Sequence, residues 1–260
     1  MTATQPSGPA VSSGRTPQNH RTVDRVTRIL EEVVYRPGMT FGDLARAIDA
    51  PKSSAHGFIN GLLAQGWLYE TGRRFYLGPA VYALTLASGH IRAGSVTHAD
   101  LEKLHQQSGT AVFVGVLAGD HLIYIAEVGS DPAAGFDARS NIRRSPLATA
   151  GGKALLAARS DHEREAYLRR LGPEDAELVA NFLDELDHIR QTRIASNVRQ
   201  GGRRFALATV LRDQSGDAVA SITLVGSAAD MQPRETKLSK LLLRSVDSWQ
   251  TRSLQPRERI

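Results

Sequence analysis

The sequence predicts an α+β chain built in two parts. Three observations lead there. Short amphipathic helical patterns followed by a β-prone hairpin run up to Leu77, Gly78-Pro79 punctuates the chain, and beyond Gly94 apolar strands alternate with helical stretches. The length of 260 residues favours two domains over one. With 41% hydrophobic and 23% charged residues, the composition is that of a chain able to bury a core. Cysteine is absent, so disulfides, thiolate ligands and thiol nucleophiles are excluded. No run approaches the roughly 18 apolar residues of a spanning helix, and the start is polar, without a signal core. The expectation is a cytoplasmic protein that makes no membrane contact. A net charge of +5 suits a polyanionic partner but decides little alone.

Residues 1–20 are rich in Ser, Thr, Pro, Gly and Gln and read as a disordered tail. From Thr22 the residues Val23, Val26, Ile29, Leu30, Val33 and Val34 place one apolar face on a first helix, stopped by Pro37-Gly38. Thr40 and Asp43 form a capping-box pair before a short second helix through Leu44, Ala45 and Ile48. After Pro51-Lys52, Ser53 is placed to cap a third helix with the inner face Ala55, Phe58, Ile59, Leu62 and Leu63, closed by Gly66. The β-prone runs 67–70 and 73–77 flank Thr71-Gly72 as a hairpin. Three helices and a hairpin make a winged helix-turn-helix over 21–78.

A connecting helix with Val81, Leu84, Leu86 and Ile91 follows, giving a linker over 79–94. Over 95–254 the pattern predicts a helix at 97–107 and strands at 111–118 and 121–128 around Gly119-Asp120. A loop at 129–145 leads to helices near 150–159, 161–171 and 176–195. Strands at 205–211 and 218–225 and a last helix at 233–251 complete an antiparallel-rich sheet covered by helices.

In a helix-turn-helix the second helix of the pair enters the major groove with its first residues toward phosphates and base edges. Those residues are Lys52, Ser53, Ser54 and His56, with Asn60 one turn beyond His56 on the same face. Arg73 and Arg74 stand at the hairpin, in reach of a minor groove. Taken singly, Ser53 also reads as a plain cap, Lys52 as a solvated charge and Arg73-Arg74 as a soluble turn. Their agreement with the helix lengths and turn positions points to duplex DNA.

The runs Val23-Asp24-Arg25-Val26, Asp43-Leu44-Ala45, Pro51-Lys52-Ser53-Ser54-Ala55-His56 and Arg74-Phe75-Tyr76-Leu77-Gly78-Pro79 resemble the winged helix-turn-helix of the IclR family of regulators. The likeness continues through 145–157 and the strand pair near 205–226, covering essentially 21–252. It implies a GAF-like effector domain with one pocket, closed by the loop that precedes Ala150-Gly151-Gly152-Lys153. It also implies an operator bound by a homodimer or tetramer, and a small organic effector. The effector contacts it implies are Phe136, Ala150, Gly151, Phe205, Thr223 and Val225. Gly57 stands where the family commonly has arginine. Phe205 and Val225 replace polar family positions, so the pocket is expected either to prefer an apolar or aromatic ligand or to have lost its ligand altogether; both residues equally suit a plain core.

Enzyme motifs fail one by one. Gly151-Gly152-Lys153 lacks the earlier glycine and the following hydroxyl of a phosphate loop, and His162-Glu163 lacks the second histidine of a zinc-protease helix. Ser88-Gly89 has Leu86 at the first glycine position of a nucleophile elbow. The expectation is a non-catalytic protein with neither cofactor nor metal. The rival is a ligand-binding or scaffold protein whose winged helix contacts other proteins, which Gly57 keeps open.

Overall fold

A computed structural model describes residues 20–88, 96–129, 143–199 and 201–254. The chain divides into two compact units, Met1–Val81 and Tyr82–Ile260. The predicted tail, Ile91 of the connecting helix and Phe136 lie outside the described residues.

In the first unit, α1 (Arg21–Tyr35) buries Ile29 and Val33. The six-residue apolar face expected for it splits. Val26 and Leu30 pack partly against the core, while Val23 and Val34 are 56% and 42% exposed. On the helix Val23 and Val34 lie at one edge of that face and Ile29 and Val33 towards the other, and the small core of the unit covers only the latter. α2 (Phe41–Ala47) begins with the expected capping box: Asp43 N donates to Thr40 Oγ1 at 3.3 Å and Thr40 N donates to Asp43 Oδ2 at 3.1 Å. The hydroxyl and amide of Thr40 hold the Asp43 carboxyl below its ordinary pKa.

α3 (Lys52–Ala64) buries Ala55, Ile59 and Leu62 against Leu44, Ile48 and Leu68. Its cap differs from expectation. Pro51 occupies the cap position with no side-chain bond to the helix, and Ser53 lies inside the first turn. Arg25 donates to the carbonyl of Asp49 at 2.8 Å, tying α1 to the turn before α3, where Asp49 itself takes a left-handed φ of 45°. The hairpin joins β1 (Leu68–Thr71) and β2 (Arg74–Leu77), with Thr71 opposite Arg74. Its turn is therefore Gly72-Arg73, one residue later than the sequence suggested. Both take φ near 60°, the double left-handed turn whose twist matches a two-residue hairpin. A bridge between Met39 and Phe75 extends the hairpin with a third short segment. α4 (Pro79–Ser88) follows.

The second unit holds α5 (His98–Ser108), capped by Thr97, and one antiparallel six-stranded sheet. Its strands are β3 (Ala111–Ala118), β4 (His121–Val128), β5 (Arg143–Arg144), β6 (Ala195–Arg199), β7 (Arg204–Arg212) and β8 (Ala218–Ser227), in the order β5-β4-β3-β8-β7-β6. Both edge strands were missed. β5 falls within the expected loop, and β6 lies where a helix was expected to run on to residue 195. Arg193, with φ at 61°, ends that helix at Thr192 and redirects the chain.

Helices cover both sheet faces. On one, Val112, Leu207 and Ile222 pack with Leu238, Leu242, Val246 and Trp249 of α10 (Glu235–Leu254). On the other, Ala195, Ala208 and Val210 pack with α6 (Ala150–Ala158), α7 (Asp161–Leu168) and α8 (Ala176–Thr192). The short α9 (Ala228–Met231) links β8 towards α10. α6 buries every residue from Ala150 to Ala157. Lys153 turns inward to an ion pair with Glu185 of α8, and Glu163 closes a capping box with Ser160. These are structural uses of the two motifs that superficially suggested phosphate and zinc sites. Among the described residues, no helix is long and apolar enough to cross a membrane.

Candidate nucleic-acid interface and effector site

The outward face of α3 is built from what its buried face leaves over. Lys52, Ser53, His56, Gly57, Asn60 and Gly61 are all exposed, and Ser54 is half-buried. Hydroxyl side chains cap α2, α5, α6 and α7, through Thr40, Thr97, Thr149 and Ser160, but none caps α3. Its first amides therefore remain open donors at the positive end of the helix dipole, beside the ammonium of Lys52. One turn on, Asn60 Nδ2 donates to His56 Nδ1 at 3.1 Å, and the His56 ring meets Phe41 edge-on with centroids 6.0 Å apart. The pair is held by α2 on one side and by itself on the other.

Gly57 and Gly61 complete this face. A Cβ at either would meet nothing within 4 Å, so neither glycine serves packing inside the unit. Each costs about 1 kcal/mol of helix propensity relative to alanine. Four residues apart, they leave a bare helical strip beside His56 and Asn60.

At the hairpin the two arginines part company. Arg73 occupies the exposed turn tip, whereas Arg74 donates to the carbonyl of Gly38 at 2.8 Å and braces the loop after α1. Tyr69 and Tyr76 stack 5.2 Å apart behind the tip.

The second site lies on the sheet face covered by α6. Directly opposed residues on neighbouring strands share a face, and successive residues alternate. Gly151 identifies this face, because a Cβ there would lie 2.6 Å from Ser221 Oγ and 2.8 Å from Thr223 Oγ1. Only glycine lets the start of α6 come this close to β8. Thr149 Oγ1 accepts the Gly152 amide at 3.1 Å and fixes that helix start. From Thr223 the register runs to Phe113 on β3 and on to Glu127 on β4. A bulge after Val114 brings Tyr124, three residues before Glu127, to the same side.

Three guanidinium groups share this face at the sheet edges. Arg204 precedes Ala208 by four residues on β7, Arg199 stands opposite Arg204 on β6, and Arg144 stands opposite Leu122 on β5. Burial pushes the Tyr124 hydroxyl pKa up, and the cations of Arg144 and Arg199 work against that shift. Thr223 is 1% exposed, and its Oγ1, like the buried Oε1 of Glu127, has no hydrogen-bond partner among the described residues. Buried polar atoms left this way are costly unless something supplies the missing bond.

Ala150, Gly151, Thr223 and Val225 thus come together on the α6 side of the sheet. Phe205 does not. It opposes Gly226, one step out of phase with Thr223, and packs in the opposite core with Leu207, Leu224 and Leu242. Phe205 therefore does not narrow the α6 face, whose edges carry charge. Phe113, Tyr124, Glu127, Arg144, Arg199 and Arg204 were missed, yet strand parity counted from Thr223 reaches most of them.

Comparisons with known proteins identify the family of the chain. The family described as bacterial transcriptional regulator IclR C-terminal matches residues 84–249, and that described as IclR helix-turn-helix domain matches 22–72. The chain is 26% identical over 222 residues to the HTH-type transcriptional regulator BhcR of Paracoccus denitrificans, spanning 81% of this chain and 79% of BhcR. It is likewise 26% identical over 233 residues to the HTH-type transcriptional regulator TtgV of Pseudomonas putida, spanning 86% and 88%. The fold is shared with an IclR homolog from Microbacterium hydrocarbonoxydans complexed with 4-hydroxybenzoate. That structure has a TM-score of 0.71 at 20% identity, covering 90% of this chain and 99% of that one. A regulator from Alicyclobacillus acidocaldarius matches with a TM-score of 0.68 at 17% identity, covering 91% and 100%. With two family descriptions spanning the winged helix-turn-helix and nearly all of the sheet domain, the chain belongs to the IclR family of bacterial transcriptional regulators.

Proposed function

We propose that this regulator grips a duplex operator through the outward face of α3 and the Gly72-Arg73 turn, in the cytoplasm, and that an organic acid bound between α6 and the sheet controls that grip. The observation that carries the DNA reading is the uncapped start of α3, where Lys52, Ser53 and Ser54 offer a charge, two hydroxyls and open amides to a phosphate. His56 and Asn60 supply base-edge groups, and Arg73 the minor-groove contact. Arg74, anchored on Gly38, supports the hairpin instead of reading DNA.

The effector is a carboxylate. Open amides at Ala150 and Gly151, the orphaned Thr223 hydroxyl and the arginines at the sheet edges suit an anion. Phe113 and Tyr124, whose rings lie 5.2 Å apart, suit an aromatic body. The 4-hydroxybenzoate held by the Microbacterium hydrocarbonoxydans homolog is an acid of this kind. The exposed apolar residues Val23 and Val34 of α1 and Leu84 of α4 support a homodimer joined through these helices, with tetramers formed beyond it.

The test is fluorescence anisotropy of the full chain with duplex DNA taken upstream of its own gene, titrated with and without benzoate. Specific binding that benzoate shifts supports the reading. Absence of specific binding assigns the winged helix to protein contacts instead.

A further inference from the structure

We infer that Arg234, Lys237, Lys240 and Arg244 form a second contact for duplex DNA, made to phosphates alone and independent of base sequence. The inference rests on the DNA reading above and adds to it a surface on the sheet domain. These cations lie on α10 and the short turn before it, at intervals of three, three and four residues. On a helix such intervals keep them within about a third of the circumference, in a row about 15 Å long. All four are exposed, and with Pro233 and Thr236 they line an open hollow of about 410 Å³.

The fold itself gains nothing from this row. Arg234 donates to the carbonyls of Asp230 and Ser108 at 3.1 and 3.3 Å, neutral partners that hold its direction and leave its charge. Lys237, Lys240 and Arg244 have no ion pair or side-chain hydrogen bond among the described residues. Arg169, Arg170, Arg190, Arg193 and Arg252 of the same unit each meet a carboxylate. Like charges three and four residues apart oppose a helix, so the row weakens α10 until an outside anion neutralises it. The hollow is lined by residues 233–244 alone, so it is a groove that cannot enclose a small molecule. No aromatic side chain lines it for a base to stack on. What it fits is an extended line of negative charge, and its length matches the rise of about four nucleotides along one strand of a duplex. Duplex DNA is the extended polyanion that a chain with an IclR helix-turn-helix domain meets. Contacts to phosphate alone hold a duplex without reading its sequence.

Anisotropy of the full chain across a salt series tests this, with the duplex upstream of its own gene carried on long unrelated flanks. The proteins compared are the wild type, Lys52→Ala, and a triple variant combining Lys237→Gln, Lys240→Gln and Arg244→Gln. The expected slope of log affinity against log salt is shallower by about two to three in the triple variant than in the wild type. Its preference for the operator over an unrelated duplex stays within about twofold of wild type, because no base contact is lost. Its melting temperature is unchanged or higher, because like charges have been removed from one helix face. An unchanged slope in the triple variant, with that of Lys52→Ala still shallower, overturns the contact on α10 and leaves the grip of α3 standing. A shallower slope accompanied by a lower oligomeric state in sedimentation also overturns it, since the face then joins copies of the chain. Absence of salt-sensitive affinity in the wild type overturns both readings.

Discussion

On the outward face of α3 the side-chain amide of Asn60 donates to Nδ1 of His56 at 3.1 Å, coupling two exposed residues one helical turn apart. The bond restricts both side chains before any DNA arrives, which lowers the entropy lost on docking. Asn60→Ala is expected to cost about 1–3 kcal/mol of operator affinity and to relax preference at one base position, while leaving the salt dependence unchanged. Anisotropy with single-base operator variants checks this. Fold stability should move by less than about 0.5 kcal/mol, since both residues are exposed.

Gly57 and Gly61 have open space where a Cβ would stand. Gly57→Ala and Gly61→Ala should therefore each stabilise the winged helix by about 0.5–1 kcal/mol. If the bare strip lets the helix backbone approach a groove, both variants also bind operator more weakly. Thermal unfolding and anisotropy on the same preparations separate the two effects. Higher stability with unchanged affinity would assign the glycines no part in binding.

The acid site makes an opposite prediction for a third glycine. Gly151→Ala drives a methyl group into Ser221 and Thr223. It should lower stability by about 1–3 kcal/mol and abolish benzoate binding. Thr223→Val keeps the volume and removes the hydroxyl, so it should weaken benzoate while preserving the melting temperature to within a few degrees.

Arg252 of α10 donates both terminal nitrogens to Asp100 at the start of α5. Burial alone would raise the Asp100 pKa, but the bonds from Arg252 and from the Thr97 amide and hydroxyl outweigh it and hold it below the ordinary value. A carboxyl depressed in the folded state adds stability that is fully present above its unfolded pKa, near 4. That stability is lost as the pH falls through the folded value. Arg252→Ala should cost about 1 kcal/mol or less at pH 7, and the gap from wild type should close as the pH falls through the depressed folded value. Denaturant midpoints across that range test the sign.

Much of this architecture was legible in the residues because local signals and tertiary roles coincide. Thr40 and Asp43 form the box their spacing implies, and β3 and β4 turn at Gly119-Asp120 as expected. What escaped was decided by long-range contacts. Ala195–Arg199 carries a weak strand pattern and becomes β6 only by pairing with β7. Arg143–Arg144 becomes β5 only against Leu122 and Ile123. Ser53 looks like a cap until Pro51 takes the position, leaving the serine free for another use.

The effector site was half legible. Gly151 and Thr223 follow from the resemblance to the family, whereas Phe205, which suited an effector contact and a plain core equally, packs in the opposite core. A one-residue slip in a strand exchanges the two sides of a sheet, and the pairing of Phe205 with Gly226 settles the phase. Glu127 was hidden for a related reason: the bulge after Val114 breaks simple alternation along β4, so parity counted from Tyr124 alone gives the wrong side.

The central claim, that α3 and the hairpin turn hold duplex phosphates, is tested most directly by salt dependence. Affinity of the full chain for its upstream duplex is measured from low to physiological salt, beside Lys52→Ala and Arg73→Ala. The account predicts a linear fall of log affinity with log salt, and a slope shallower by about one in each variant. Slopes identical in all three proteins, or no salt-sensitive affinity at all, would contradict it.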